Sequence, residues 1–286
     1  MAEATSSASK WADLSTRVIS AGVIVLLALG ALFGGPLAWS VFVLLIYVLM
    51  LRELAKLCEV DIPTLRRWII ALMPLAVLAV TLVLPLAGPA PEGPDAVWNA
   101  FTFGILRALL VAFVPLGTGL LLLKSGHRTW LAYGLLLAVA ALALDFGQIV
   151  AGPRGILALI GIVVISDVLG YFAGRAFGGP KFWPRISPKK TWSGTIAGWV
   201  GAAIFGALIG PGLLGVSWWL CALGAVVLAF AGQMGDIVES WLKRRAGVKD
   251  SSSLIPGHGG VLDRLDALVA VAALAGVASW AFGVFA

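Results

Sequence analysis

The chain has few charged residues and few cysteines for its length of 286 residues. Charged side chains make up 12% of it, against about 25% in soluble domains, so too few polar groups exist to cover a compact soluble protein. Two cysteines, Cys58 and Cys221, exclude a disulfide scaffold and form no metal-binding spacing. Because 60% of the residues are hydrophobic, disorder is excluded as well. The composition therefore indicates a membrane protein with several spans.

Apolar runs that are long enough to enter a bilayer occur along the whole chain. A helix needs about 20 apolar residues to cross the hydrocarbon core. About nine runs meet or approach this length, at residues 14–33, 37–51, 68–86, 98–123, 130–150, 156–177, 194–214, 217–242 and 261–285. Gly34-Gly35-Pro36 separates the first two runs, so we expect a hairpin there, with eight spans as the alternative. The predicted fold class is an all-α, polytopic integral membrane protein with about nine transmembrane helices.

The basic residues indicate how these helices are oriented. With a cytoplasmic N-terminus, all of the 20 lysines and arginines except Arg107 and Arg154 fall in or near inner segments, as the positive-inside rule requires. The net charge of +6 is therefore attributed to orientation and to anionic lipid, and no nucleic-acid partner is expected. We expect a protein of a bacterial-type inner membrane, whose first run is kept as an anchor because no signal-peptide cleavage site follows it. Glu53, between Arg52 and Lys56, is interpreted as part of a solvated helix end.

Polar residues concentrate around the predicted eighth and ninth helices. Asp236, Glu239 and Lys243 recur at helical spacing and share one face of the eighth helix. A carboxylate at the bilayer centre costs about 2.5–3.5 kcal/mol, so it usually faces the protein interior or a polar cavity. Asp263 and Asp266 open the ninth helix, where Asp266 is explained equally well by ordinary first-turn charge placement. Carboxylates on two adjacent helices could hold a hard cation through oxygen ligands.

The loop between these two helices combines positive charge with glycine. Its charged residues, with those at its borders, are Arg244, Arg245, Lys249, Asp250 and Arg264. They flank the sequence Pro256-Gly257-His258-Gly259-Gly260. Glycines let the backbone approach a ligand closely and can expose consecutive N–H groups to an anion. Acids for a divalent cation, bases for phosphates and a glycine-rich loop together point toward phosphoryl or nucleotidyl transfer.

A second polar group precedes the first one. Asp167 lies inside the sixth apolar run, where an acid is usually functional, with an interhelical salt bridge as the alternative. The basic loop that follows offers phosphate-binding donors at Ser187, Lys189, Lys190 and Thr191. A loop that only orients the protein in the membrane is the alternative for these four residues.

Residues 240–266 resemble the signature of phosphatidate cytidylyltransferases, also called CDP-diacylglycerol synthases. The matching positions read Ser240-x-Leu242-Lys243-Arg244-x4-Lys249-Asp250-x-Ser252-x2-Ile255-Pro256-x-His258-Gly259-Gly260-Val261-x-Asp263-Arg264-Leu265-Asp266. Two further segments are similar, namely Gly235-Asp236-x-x-Glu239-Ser240 and Ser187-Pro188-Lys189-Lys190-Thr191. The chain departs from the family pattern at Ser193, where the family has an acid, and in its serine-rich Ser251-Ser252-Ser253.

The resemblance implies that CTP and phosphatidate are converted to CDP-diacylglycerol and pyrophosphate in phospholipid biosynthesis. The implied reaction is an in-line attack of the lipid phosphate on the α-phosphorus of CTP near the cytoplasmic face. Phosphatidate stays in the bilayer because each buried CH₂ contributes about 0.8 kcal/mol, whereas CTP is soluble, so the two substrates meet at the interface. A homodimer is implied on the same basis.

The resemblance also assigns roles to individual residues. Asp236 and Asp263 hold Mg²⁺, Glu239 and Asp266 are further candidate ligands, and a second cation is an open alternative. The phosphates of CTP and of the leaving pyrophosphate are neutralised by Lys243, Arg244, Lys249 and Arg264. The loop residues Lys189 and Lys190 hold either substrate's phosphate, and the nucleotide pocket is shaped by His258, Gly259 and Gly260. Asp167 and Asp250 have less defined roles, in orienting the lysine and arginine side chains.

The implied roles divide the chain into two regions. We expect an N-terminal region of about five transmembrane helices over residues 1–150. A C-terminal catalytic region with two basic cytoplasmic loops covers residues 151–286.

Two other functions are alternatives to cytidylyl transfer. A CTP-dependent polyprenol or lipid kinase would release CDP instead of pyrophosphate. An ion-coupled secondary transporter would spread its polar groups across the bilayer and often shows repeated halves, whereas the polar groups here gather on one side.

Overall fold

The chain folds into a helical bundle with one short hairpin. A computed structural model describes residues 2–83 and 95–281, with side chains described for residues 18–83 and 102–281. The helices are α1 (Ala2–Phe33), α2 (Pro36–Cys58), α3 (Thr64–Val83), α4 (Asp95–Leu122), α5 (His127–Phe177), α6 (Trp192–Leu214), α7 (Trp218–Arg245) and α8 (Leu262–Ala281). Between α5 and α6, strands β1 (Lys181–Trp183) and β2 (Ser187–Thr191) pair antiparallel. The predicted all-α membrane class is confirmed, and the hairpin is an addition to it.

Six helices are long and apolar enough to cross a membrane, judged by length and composition among the described residues. They are Thr64–Val83, Thr102–Leu122, His127–Phe177, Trp192–Leu214, Trp218–Arg245 and Leu262–Ala281. The described parts of the apolar runs lie in helices except for the run ends Leu123, Ser217 and Val261, and the ends at 84–86 and 282–285 fall outside the described residues. The number of crossings, the orientation of the N-terminus and the division at residue 150 stay predictions.

Glycine and proline break the helices where the sequence predicts breaks. Gly35 has a φ of 98° between α1 and α2, and Pro36 occupies the start of α2, where a missing N–H costs nothing. Within α5, Gly152 has a φ of 63° and a ψ of −170°, directly before Pro153. A straight helix of 51 residues would be about 77 Å long, far more than the roughly 30 Å core. The kink divides α5 into two segments that match the fifth and sixth apolar runs.

The largest buried core joins the early and late parts of the chain. Leu51 and Leu54 of α2 pack with Trp130 and Leu137 of α5 and with Leu262 at the start of α8, all fully or almost fully buried. The indole N–H of Trp130 donates to the carbonyl of Leu116, at 2.9 Å, so its polar atom is satisfied inside this core. The core therefore fixes the ends of α2 and α8 against each other, next to the polar loop before α8.

Small residues let α5, α6, α7 and α8 approach closely. A Cβ added at Gly194 of α6 would lie 2.5 Å from the carbonyl oxygen of Gly170 in α5. A Cβ at Gly235 of α7 would lie 2.6 Å from the carbonyl oxygen of Asp266 in α8. Such contacts are typical of helices packed in membranes. The second contact brings the acidic faces of α7 and α8 together.

A buried glutamine connects three of these helices. The amide nitrogen of Gln233 in α7 donates to Ser166 Oγ in α5 and to the carbonyl of Thr195 in α6, both at 3.3 Å. Its amide oxygen accepts the indole N–H of Trp199 in α6 at 3.0 Å. Buried polar groups are costly without partners, so this set of bonds fixes the relative positions of α5, α6 and α7.

Candidate active site

Three carboxylates from α7 and α8 form the centre of the site. Asp236, Glu239 and Asp266, here called the acidic cluster, each offer an oxygen atom, and these oxygens lie within 4.8 Å of one another. Asp236 and Glu239 are one helical turn apart on α7, and Asp266 faces them from the first turns of α8. Glu239 is fully buried, at 0% exposure. Its Oε1 has no hydrogen-bond partner within the described residues.

Two lysines border the acidic cluster. Lys243 forms ion pairs with Glu239 and, at 2.7 Å, with Oδ1 of Asp263. Lys190, on strand β2, pairs with Oδ2 of Asp236 at 2.5 Å. When all are ionised, the three carboxylates and Asp263 carry four negative charges, and the two lysines supply two positive charges. These residues therefore leave two negative charges, which a divalent cation would balance.

Asp263 binds the loop before α8 and is connected to the acidic cluster through Lys243. Its Oδ2 accepts the backbone N–H of Ser251 at 2.9 Å and the backbone N–H of Gly260 at 2.7 Å, and it lies 2.9 Å from the hydroxyl oxygen of Ser251. Lys243 occupies its other oxygen. Both oxygens are thus engaged by donors from the protein. The expectation that Asp263 holds a metal ion together with Asp236 stays a prediction, and in the described structure Asp263 organises the loop.

Glu53 is a functional residue that the sequence reasoning misinterpreted. It is not a solvated helix end, because its side chain is 2% exposed. Its Oε2 accepts from Ser251 Oγ at 3.0 Å and from the N–H of Leu262 at 2.8 Å. Its Oε1 accepts from Ser252 Oγ at 2.6 Å and from the N–H of Val261 at 3.1 Å. Glu53 therefore caps the start of α8 and holds the loop from the side of α2.

Glycines allow the loop to turn tightly around these carboxylates. Gly259 has a φ of 82°, a left-handed conformation that favours glycine, and its carbonyl accepts the N–H of Ile255 at 2.8 Å. A Cβ at Gly260 would lie 2.6 Å from Oε2 of Glu53. Arg264 donates from Nε to the carbonyl of His258 at 2.7 Å. The Pro-Gly-His-Gly-Gly segment is thus a packed turn rather than a free loop.

His258 faces the first helix. Its Nδ1 lies 2.8 Å from the hydroxyl oxygen of Ser20 in α1, and the same hydroxyl donates to the carbonyl of Pro256 at 3.2 Å. The polar turn therefore contacts α1 as well as α2 and α8. Its expected role in shaping a nucleotide pocket stays a prediction.

The β-hairpin places the second group of predicted residues beside the acidic cluster. Ser187, Lys189, Lys190 and Thr191 all lie on β2, with the side chain of Lys189 exposed and that of Lys190 turned toward Asp236. Thr191 caps α6 by accepting the N–H of Gly194 at 3.3 Å. Ser193, which replaces the family's acid, donates to the carbonyl of Gly178 at 2.5 Å. It connects the end of α5 to the start of α6, a structural role that needs no charge.

The remaining predicted residues lie around this centre, mostly at the surface. Asp167 is exposed on α5 and within electrostatic range of Lys190 and Asp236. The loop and its borders carry four exposed cations and one exposed acid, namely Arg244, Arg245, Lys249, Arg264 and Asp250. Their side chains are accessible to a soluble anion, in contrast to Lys243. The structure thus brings nearly all the predicted site residues to one end of the bundle.

The residues of the acidic cluster fit a divalent metal ion. Hard cations such as Mg²⁺ prefer carboxylate oxygens, and Mg²⁺ is commonly held by a few carboxylates together with substrate phosphates. Lys243 pairs with one oxygen of the fully buried Glu239, but the other oxygen has no partner among the described residues, and a buried polar atom without a partner is costly. Asp236, Glu239 and Asp266 would hold the ion, which would add positive charge next to a substrate phosphate.

Comparisons with known proteins agree with the family signature. The family model described as "Cytidylyltransferase family" matches residues 15–282. A protein of Brucella abortus biovar 1 (strain 9-941) named "Phosphatidate cytidylyltransferase" is 45% identical over 172 residues, which cover 58% of this chain and 63% of that protein. A Pseudomonas aeruginosa protein of the same name is 35% identical over 189 residues, 65% of this chain and 59% of that protein.

A third relative matches over a longer stretch. The Escherichia coli (strain K12) protein "Uncharacterized protein YnbB" is 31% identical over 236 residues, covering 80% of this chain and 74% of that protein. The chain spans 63% and 59% of the length of the Brucella and Pseudomonas relatives, whereas the family model extends over nearly all of it. The chain therefore belongs to the cytidylyltransferase family.

Proposed function

We propose that this protein transfers the cytidylyl group of CTP to phosphatidate, giving CDP-diacylglycerol and pyrophosphate. The observation that carries the proposal is the acidic cluster between α7 and α8, bordered by Lys190 and Lys243 and surrounded by exposed cations. The names of the Brucella and Pseudomonas relatives support phosphatidate as the acceptor. A membrane-embedded helical bundle suits this lipid substrate because the lipid does not leave the bilayer.

The proposed reaction needs charge neutralisation more than proton transfer. A phosphatidate oxygen attacks the α-phosphorus of CTP, a new P–O bond forms, and the bond from this phosphorus to the β-phosphate oxygen breaks. The lipid phosphate is already an anion near neutral pH, so no strong general base is required. Arg244, Lys249 and Arg264 would neutralise the triphosphate and the leaving pyrophosphate. Their exposed positions at the mouth of the site support this role.

An apolar groove supports entry of the lipid from the side. The groove lies between α5 and α6, has a volume of about 430 Å³ and is lined by apolar side chains from Leu169 to Phe177 on α5 and from Ala197 to Ile204 on α6. Its first lining residue on α5, Leu169, lies two residues after Asp167. Asp167 is itself within electrostatic range of Lys190. We propose that an acyl chain of phosphatidate lies in this groove, so that the lipid phosphate reaches the acidic cluster and Lys190.

The membrane side and the assembly state follow from charge and resemblance. We place the site at the cytoplasmic face of a bacterial inner membrane, because the basic loops around it satisfy the positive-inside rule in that orientation. CTP is then available from the cytoplasm. A homodimer stays a prediction from the family resemblance.

The experiment uses the purified full chain with α-labelled CTP, phosphatidate and Mg²⁺ in mixed micelles. We expect a labelled nucleotide lipid and an equal amount of pyrophosphate. Asp266→Asn should lower the rate at least about a hundredfold, because one charged ligand of the cluster is lost, while the control Asp61→Asn, at an exposed position, should keep the wild-type rate. Release of CDP without a labelled lipid would indicate a lipid kinase and contradict the proposal.

A further inference from the structure

A second polar cavity lies on the other side of the loop that Glu53 holds. It has a volume of about 360 Å³ and is bounded by the end of α2, the start of α3 and residues 251–254. Arg52, Lys56 and Arg67 line it together with the hydroxyls of Ser252 and Ser253. None of the three cations belongs to the family signature or to the acidic cluster. The cavity is here called the basic pocket.

The cations of the basic pocket are not neutralised by the protein. Among the described residues, no Asp or Glu lies within ion-pair distance of Arg52, Lys56 or Arg67. The Nε atoms of both arginines are buried and have no hydrogen-bond partner in the part of the chain that the structure describes. Arg52 and Arg67 lie close enough to repel each other, and Arg52 stacks over the ring of Trp68 at 4.5 Å, which fixes its guanidinium.

Glu53, the one acid that lines the basic pocket, does not neutralise the three cations. Both oxygens of Glu53 already accept hydrogen bonds from four donors of the loop and of α8. Three cations against one engaged carboxylate leave the pocket with two positive charges. Like charges held together in a partly closed space are unfavourable unless an anion joins them. The terminal N–H groups of the three cations and the hydroxyl of Ser253, which all line the pocket, supply the donors for such an anion.

We propose that the basic pocket is a phosphate-binding subsite, distinct from the acidic cluster. Arginine forks and a lysine are the groups that bind phosphate oxygens best in proteins. The phosphate group belongs either to a lipid headgroup or to a soluble polyphosphate, since both reach this end of the bundle. The pocket is connected to the first site, because Ser251 Oγ bonds both Glu53 and Asp263.

The test measures binding to the delipidated full chain in neutral detergent, without divalent cations. One arm titrates labelled inorganic pyrophosphate, and the other titrates a short-chain phosphatidate. The variants are Arg67→Gln and Lys56→Gln, which remove one positive charge each. The matched control is Arg66→Gln, because this neighbouring arginine lies 4.0 Å from Glu59 instead of lining the pocket.

We expect both pocket variants to raise the Kd of at least one probe about tenfold or more, as loss of a charged hydrogen-bond donor predicts. Arg66→Gln should bind like the wild type, and the probe that is affected identifies the source of the phosphate. Unchanged affinity for both probes in both variants would overturn the proposal, as would an equal loss in Arg66→Gln. Because the assay contains no CTP and no turnover, either result leaves the proposed cytidylyl transfer to its own test.

Discussion

Replacing Glu53 with glutamine is the perturbation that separates loop organisation from metal binding. The substitution keeps the size of the side chain and changes no residue of the acidic cluster. Glu53 accepts from Ser251 Oγ and the N–H of Leu262 on one oxygen, and from Ser252 Oγ and the N–H of Val261 on the other. In glutamine an NH₂ group replaces one of these oxygens. This group is itself a donor, so it cannot accept the two hydrogen bonds that the oxygen accepted.

The expected cost follows from these contacts. The serine hydroxyl can rotate to another acceptor, but the backbone N–H that faced the lost oxygen cannot. One buried N–H without an acceptor costs about 1–3 kcal/mol, and loss of the negative charge at the start of α8 costs about 0.3–1 kcal/mol more. We therefore expect the ordered state of the loop to lose about 1–4 kcal/mol. At 1.4 kcal/mol for each factor of ten, this is about five- to several-hundredfold in its population.

The assay follows hydrogen–deuterium exchange of residues 251–262 together with the rate of cytidylyl transfer. Both should change in Glu53→Gln: faster exchange in the loop and slower transfer. The matched control is Glu59→Gln, since Glu59 accepts the N–H of Lys124 at 2.6 Å and lies near Arg66, away from the loop. Wild-type exchange and wild-type turnover in Glu53→Gln would refute the reasoning that Glu53 organises the site.

Two further substitutions test the packing around the site. Gly260→Ala places a methyl group 2.6 Å from Oε2 of Glu53, so transfer should fall at least about tenfold, whereas Gly212→Ala, with open space at its Cβ, should keep the wild-type rate; equal rates in both would contradict the close packing. Gln233→Leu leaves the indole N–H of Trp199 without its acceptor, so the free energy of unfolding should fall by about 1–3 kcal/mol, measured by thermal unfolding in detergent. An unchanged melting temperature would show that Gln233 does not hold the three helices together.

The acidic face of α7 was predictable because helical spacing is a local property. Asp236 and Glu239 are three residues apart, so any helix through them presents both to the same neighbour. The choice between Asp263 and Asp266 was not predictable in the same way. The two acids are also three residues apart, but Asp263 lies one turn nearer the loop, where Ser251 and Gly260 donate to it. Both acids contact α7, Asp263 through Lys243 and Asp266 in the acidic cluster, and this division depends on loop geometry that the spacing does not contain.

The role of Glu53 could not be found from local patterns. Its partner Ser251 lies 198 residues away in the chain, and no periodicity connects the two. Near Glu53 the sequence shows only an acid between two cations, Arg52 and Lys56, at the expected inner end of a helix. Such a triplet is typical of a solvated helix end, and only the packing of α2 against α8 buries it.

The breaks in the bundle were predictable because they depend on local chemistry. A glycine with positive φ followed by proline separates α1 from α2 at Gly35-Pro36 and bends α5 at Gly152-Pro153, since glycine adopts this conformation readily and proline has no N–H for a preceding turn. The β-hairpin was not predicted, because its strands are three and five residues long. Short strands of this kind carry little pattern in the sequence.

Asp236, Glu239 and Asp266 are the residues that we propose hold a divalent cation. Mn²⁺ replaces Mg²⁺ at oxygen sites and gives a paramagnetic signal, so binding to the full chain can be titrated directly by electron paramagnetic resonance. We expect saturable Mn²⁺ binding that Mg²⁺ displaces, and a Kd at least about tenfold higher in Asp266→Asn than in Asp61→Asn. Equal Mn²⁺ affinity in the two variants would contradict the claim.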